Sequence, residues 1–218
     1  MHRSLRPRVK ICCISSLEEA RLAIRNGASA LGLVSNMPSG PGVIPEERIA
    51  EIARSVPPGV SSFLLTCLQS IDAIVAQHRR CRTNTIQICD RLETGSHCEL
   101  KYALPGVAIV QVIHVAGPES VEEAIQIAPE VDAILLDSGN QKIAVKELGG
   151  TGRTHDWDLS RAIRERVERP VFLAGGLNPG NVRQAIDEVG PFGLDICTGV
   201  RSDGKLDEEK LRALFGAI

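Results

Sequence analysis

Short runs of β-branched and aliphatic residues punctuate the chain every 20 to 30 residues or so. They read "RVKICCI" (8–14), "ALGLV" (30–34), "SSFLLT" (61–66), "TIQIC" (85–89), "AIVQVIHV" (108–115), "DAILLD" (132–137), "PVFLAGG" (170–176) and "GLDICTG" (193–199). Runs that stay apolar at successive positions belong to strands buried on both faces, which is the habit of a parallel sheet. Between them the pattern changes to a helical one. "SLEEARLAIRNG" (16–27) opens on a serine cap with glutamates behind it and closes on Asn26-Gly27. Similar periodicity marks 45–56, 70–80, 120–128, 157–167, 178–190 and 206–218. The least regular stretch, "ETGSHCELKYALPG" (93–106), reads as a short helix. Eight strand–helix alternations with no linker or break in composition predict one domain over 1–218, a closed (β/α)8 barrel of parallel strands. A doubly wound open sheet is the alternative, but no GxGxxG follows the first strand.

Composition narrows the classes of function. A length of 218 residues is ample for a substantial core. A net charge of −2 gives no reason to expect nucleic acid or an anionic membrane as partner, and 3% aromatic residues leave little for base stacking. The seven cysteines are odd in number and form no C-x-x-C pair, so neither a disulfide framework nor a zinc site is expected, and a reducing cytoplasm suits them. The basic start "MHRSLRPRVK" has no apolar run behind it long enough for a signal peptide. No segment approaches the roughly 18 apolar residues of a membrane helix.

In a barrel of this kind, chemistry belongs at the C-terminal ends of the strands. Gly175 and Gly176 end strand seven, before a helix opened by Asn178-Pro179, and Thr198 and Gly199 end strand eight. Glycines let backbone N–H groups approach an anion, and a helix N-terminus adds its positive end, so these two loops could grip a phosphate. They could equally be tight βα turns. After strand six, "GGTG" (149–152) offers Gly150 and Gly152, either to close over an anionic ligand or as a plain mobile loop. Asp137 ends strand six and is a cap or a general acid/base. Cys12 ends strand one in the same layer; it is a buried thiol or, with a lowered pKa, a base or nucleophile.

Taken together, "VKICCIS", "LLDS", "GGTGRTHDW", "FLAGGLNPGNV" and "LDICTGV", in this order and spacing, resemble the phosphoribosylanthranilate isomerases of tryptophan biosynthesis. The resemblance covers nearly the whole chain and is most specific from 131 to 200. It implies a (β/α)8 barrel without metal or cofactor that performs an Amadori rearrangement on a phosphosugar. By the same resemblance Asp137 is the general acid that opens the sugar ring, and Cys12, matching the cysteine of the family's "KICG", is the general base at C2. With the cysteine usage above, a cytoplasmic enzyme is expected, as a monomer or homodimer.

Several positions depart from that pattern. The family glycine after the cysteine is Cys13 here; strand alternation predicts that Cys12 faces the pocket while Cys13 packs against the helices. The loop after strand two, "NMPSGPGVIPEE" (36–47), lacks the arginine that grips the anthranilate carboxylate in the family, and no Arg or Lys lies between Gly32 and Glu47. A lost charge-assisted bond of that kind is worth about 1.5–3 kcal/mol. Strand four ends "QICDR", with Cys89 where the family has histidine; His114 stands for a common lysine and His155 for a phenylalanine. Arg91, newly present at the mouth of strand four, is a candidate replacement for the carboxylate anchor, or else a solvated surface charge. The departures leave two alternatives to the anthranilate reaction: an isomerase for another ribosylamine 5-phosphate or phosphosugar, and a non-catalytic phosphosugar-binding barrel.

Overall fold

A computed structural model of the chain describes residues 6–139 and 155–218. Its eight strands pair in parallel in chain order: β1 (Arg8–Ile11), β2 (Ala30–Val34), β3 (Ser61–Thr66), β4 (Thr85–Ile88), β5 (Ala108–His114), β6 (Ala133–Asp137), β7 (Val171–Leu173) and β8 (Gly193–Ile196). β8 returns to β1, with Lys10 opposite Asp195 and Ile11 opposite Ile196, so the ring closes. Closure removes both sheet edges. The helices are α1 (Leu17–Arg25), α2 (Glu46–Ser55), α3 (Ile71–Cys81), α4 (His97–Ala103), α5 (Glu119–Ile127), α6 (Trp157–Arg166), α7 (Val182–Val189) and α8 (Glu208–Ala217). Among the described residues no helix is long and apolar enough to cross a membrane.

The apolar runs supply two cores because side chains alternate across a strand. Ile11, Leu31, Leu64, Ile86, Ile134 and Leu194 belong to the larger core, which includes apolar faces of the helices. Ala30, Phe63, Leu65, Val112, Leu135 and Phe172 pack with one another inside the ring. Helix starts follow their caps: the Ser16 and Ser70 hydroxyls accept from the N–H groups of Glu19 and Ala73, and Asp156 and Asp207 do the same for α6 and α8. The irregular stretch at 93–106 becomes helical at His97 because Ser96 and Glu99 form a reciprocal capping box.

Four differences from the sequence expectation matter for the site. β1 stops at Ile11, although the Cys12 N–H still reaches the Ile196 carbonyl at 2.8 Å, so Cys12 to Ile14 form the rim rather than the strand. β7 stops at Leu173 and releases Ala174 to Leu177 into the loop. α7 begins at Val182, not at Asn178-Pro179. A turn intervenes, in which Asn178 Oδ1 accepts from the Gly180 N–H and the Asn178 N–H donates to Asn181 Oδ1. The segment after β8 likewise enters a single 3-10 turn, Thr198–Val200, followed by a small antiparallel ribbon, β9 (Arg201–Ser202) with β10 (Lys205–Leu206).

Candidate active site

The C-terminal ends of the strands surround a cavity of about 670 Å³, counting its open mouth. Cys12, Asp137, Gly175, Gly176 and Thr198 all line it. β1 and β6 lie three strands apart round the closed ring, so the thiol and the carboxyl approach the cavity from different sides. Gly150 and Gly152 lie outside the described residues. Gly199 does not line the cavity; it stands behind it, where a Cβ would run into the Leu177 carbonyl oxygen and lie 2.9 Å from Asn178 Cα. The glycine therefore lets the β8 loop pack directly on the β7 loop. Replacing Gly199 by alanine is expected to separate the two loops, costing about 1–3 kcal/mol of stability and weakening phosphate binding, which thermal denaturation and phosphate titration would register. The backbone N–H groups of Gly175 and Gly176 donate to no described residue, while the Gly176 carbonyl accepts from both Asn178 Nδ2 at 3.1 Å and Asn181 Nδ2 at 3.0 Å. The Gly176 carbonyl is turned away and both N–H groups are left open, as an anion requires.

Asp137 is 8% exposed, and burial pushes its carboxyl up from the usual range. The Ser138 N–H, donating to Oδ1 at 2.7 Å, and the nearby His114 imidazole oppose that push only in part. A carboxyl held up in this way can stay protonated and act as an acid.

Cys12 is shifted in the opposite direction. The adjoining Cys13 thiol pulls it below the ordinary thiol range against burial, and the Lys10 ammonium adds to the pull. Lys10 Nζ lies 3.7 Å from Cys12 Sγ and 2.8 Å from Asp195 Oδ2, fully buried under the thiol and 5.3 Å from the Phe63 ring centre. Burial alone would lower the Lys10 pKa, but Asp195 and Cys12 more than offset it, so the ammonium keeps its charge. Gly32 makes room for this arrangement: a Cβ there would sit 2.7 Å from Cys12 Sγ and 3.1 Å from Lys10 Cε.

Cys13 is a correction to the strand-alternation expectation. It does not pack against the helices; it lines the cavity beside Cys12. Its φ of 61° is the reason, because alternation holds only for extended backbone and this residue is left-handed. A non-glycine residue there costs about 1 kcal/mol or more, which explains why the related pattern carries glycine. Its thiol meets the Pro41 carbonyl at 3.5 Å and Cys197 Sγ at 2.8 Å, and its Cβ fits against Gly42, where another Cβ would come within 2.5 Å. Its neighbouring thiols Cys12 and Cys197, with burial, push the Cys13 thiol up, so Cys12 is the one of the pair that ionises.

Burial, with the Cys12 thiol adding, also pushes Cys89 up. Beside it, Gln87 lines the cavity with its Oε1 unbonded among the described residues. Arg91 is placed elsewhere. It pairs with Glu123 at 2.9 Å, its side chain is 66% exposed, and it lines a separate groove between α4 and α5 rather than the cavity. Arg91→Ala is expected to leave kcat/KM unchanged and to alter stability by less than about 1 kcal/mol, as steady-state kinetics and denaturation would show. His114 Nε2 contacts the Cys89 carbonyl at 3.0 Å, and His155 lies near α6, its Nε2 2.6 Å from Ser160 Oγ. Lys10, Asp195, Gln87, Cys197 and Arg201 were not singled out from sequence. The signal that could have found Lys10 and Asp195 is a charge of each sign inside an apolar run, on two strands that must meet if the barrel closes.

Comparison with known proteins gives matches to one family over most of the chain. The family model described as N-(5'-phosphoribosyl)anthranilate (PRA) isomerase matches residues 9–217. A Methanosarcina mazei protein named N-(5'-phosphoribosyl)anthranilate isomerase 2 is 34% identical over 206 residues, covering 94% of this chain and 90% of that one. The Haloferax volcanii isomerase is also 34% identical, covering 96% and 92%. Among solved structures, the phosphoribosyl anthranilate isomerase from Thermotoga maritima superposes with a TM-score of 0.78 at 30% identity, covering 97% of this chain and 98% of that one. Another phosphoribosyl anthranilate isomerase, solved in complex with reduced 1-(o-carboxyphenylamino)-1-deoxyribulose 5-phosphate, gives 0.76 at 29% identity, covering 97% of each chain.

Proposed function

Since the chain belongs to the N-(5'-phosphoribosyl)anthranilate isomerase family, we infer that it catalyses the Amadori rearrangement of N-(5'-phosphoribosyl)anthranilate in tryptophan biosynthesis. It is on this reading an isomerase, an intramolecular oxidoreductase that moves a carbonyl from C1 to C2 of a phosphosugar. The observation that carries the assignment of roles is one cavity holding a lowered thiol, a raised carboxyl and, in the loop after β7, two open N–H groups.

The sequence of steps follows from those three parts. The 5-phosphate sits on the N–H groups of Gly175 and Gly176 and on the Thr198 turn, which fixes the ribose across the cavity. Asp137 gives its proton to the ring oxygen, the bond from C1 to that oxygen breaks, and C1 becomes a Schiff base with the anthranilate nitrogen. The C2 proton is now acidic because the positive C=N beside it accepts the electron pair. The Cys12 thiolate removes that proton and an enolamine forms. The enolamine loses its hydroxyl proton and gains one at C1, leaving the ketone at C2. No atom is lost or gained. An acid and a base on different sides of one carbon frame, with the phosphate as tether, make each transfer intramolecular.

The aglycone end of the cavity is neutral among the described residues: Met37, Ser39, Gly40, Pro41 and Val34 line it, and no arginine or lysine does. That wall favours, as second reading, an isomerase for a ribosylamine 5-phosphate with an uncharged aglycone. Purified protein mixed with N-(5'-phosphoribosyl)anthranilate tests the two: loss of the substrate's fluorescence with turnover supports the first. Absence of turnover in a protein that still binds inorganic phosphate supports the second.

A further inference from the structure

Arg201 reaches back from the ribbon after β8 to the turn that carries the thiol. Its Nη2 donates to the Cys13 carbonyl at 2.6 Å and to the Cys12 carbonyl at 3.2 Å. Its Nη1 donates to Glu19 Oε1 at 2.9 Å and to the Gly204 carbonyl at 3.0 Å. Only 8% of the Arg201 side chain and 14% of the Glu19 side chain are exposed. Glu19 holds the other end of the same turn, accepting from the Ser15 N–H at 2.9 Å, and binds the ribbon itself through the Leu206 N–H at 2.9 Å. Two successive carbonyls converge on one guanidinium here because Cys13 is left-handed; an extended strand would point them to opposite sides.

We propose that Arg201, seated on Glu19, is a positioning residue: it clamps the Cys12–Cys13 turn in its left-handed form and so aims the Cys12 thiol into the cavity. Glycine adopts that conformation freely, whereas Cys13 must be held in it. A planar fork that serves two carbonyls and a carboxylate together is work for arginine, since a lysine ammonium on a flexible stem cannot span them in fixed geometry. The proposal rests on Cys12 being the base, as above.

The test is a cycle of four proteins: the natural chain, Arg201→Ala, Cys13→Gly and the double variant. Arg201→Ala is expected to lower kcat on the order of tenfold to a hundredfold, the size of effect a misplaced catalytic group produces, with KM little changed. The same replacement in the Cys13→Gly background is expected to cost far less, because glycine holds the turn unaided. Iodoacetamide labelling of Cys12, followed by peptide mass, is expected to slow in Arg201→Ala and recover in the double variant. An equal loss in both backgrounds, or an unchanged kcat in Arg201→Ala, overturns the proposal. If Arg201→Ala does not fold, Arg201→Lys takes its place in the cycle with the same expectations. Should Cys12→Ser keep full turnover, the base assignment fails instead, and the labelling rates still report separately on the clamp.

Discussion

Replacing Cys12 by serine is expected to remove about a hundredfold to ten-thousandfold of kcat, the usual worth of a positioned general base, while leaving phosphate affinity intact. Serine matches the thiol in size and keeps the turn, but its hydroxyl does not ionise near neutrality. The Lys10 ammonium, 3.7 Å from the sulfur, then has no anion to stabilise on that side. The loops proposed to hold phosphate follow β7 and β8 and do not depend on the sulfur, so inorganic phosphate should titrate as in the natural protein. Steady-state kinetics alongside phosphate binding separates the two effects. Retained turnover in Cys12→Ser would remove the base from the scheme and direct attention to Asp195 and Gln87.

Asp137→Asn carries the second large effect, and it has two opposed parts. Activity should fall by a similar factor, about a hundredfold to ten-thousandfold, since the amide cannot give up a proton to the ring oxygen. Stability should move the other way with pH. Burial raises the Asp137 pKa in the folded protein, so the folded chain holds this proton to higher pH than the unfolded chain does. Unfolding free energy from this group is therefore greatest below the unfolded value, about 3.9, and declines as pH rises through the folded value. Asparagine has no charge to bury. Asp137→Asn is thus expected to be more stable than the natural protein at pH 8, with the two denaturation curves converging on acidification. The same shifts shape the rate profile: turnover should decline below the pKa of Cys12 and above that of Asp137, because the reaction needs thiolate and carboxylic acid together.

Much of this architecture was legible in the chain itself. β2 and β3 coincide with their apolar runs, and all eight helices appear where periodicity placed them, even the irregular α4. Strand content is easy to see when both faces are buried, because apolar residues then dominate successive positions even where Lys10, Gln87 or Asp195 interrupts the run. Strand ends are harder. The apolar run through "ICCI" gives no sign that extended backbone stops at Ile11, and only the left-handed φ at Cys13 turns its side chain into the cavity. Asn178-Pro179 similarly reads as a helix start, but the asparagine side chains close a turn first and delay α7 to Val182.

Site legibility divides along the same physical line. Cys12, Asp137, Gly175, Gly176 and Thr198 are recognisable because each ends a run, and the barrel brings run ends together. Lys10 and Asp195 act through a partner on the neighbouring strand, so neither means much until closure pairs them at 2.8 Å. Arg201 and Glu19 are 182 residues apart, and no local pattern couples them. Arg91 shows the converse: proximity in sequence to a strand end did not bring it to the cavity, because Glu123 on α5 holds it outward.

The central claim is that one thiol among seven, Cys12, is the base, and stoichiometric inactivation tests it most directly. The protein would be treated with iodoacetamide near neutral pH, with residual turnover plotted against modification of each cysteine by peptide mass. The account predicts that activity falls in proportion to Cys12 modification alone, and that reduced 1-(o-carboxyphenylamino)-1-deoxyribulose 5-phosphate bound in the cavity protects both. Full turnover in protein whose Cys12 is completely alkylated would contradict it.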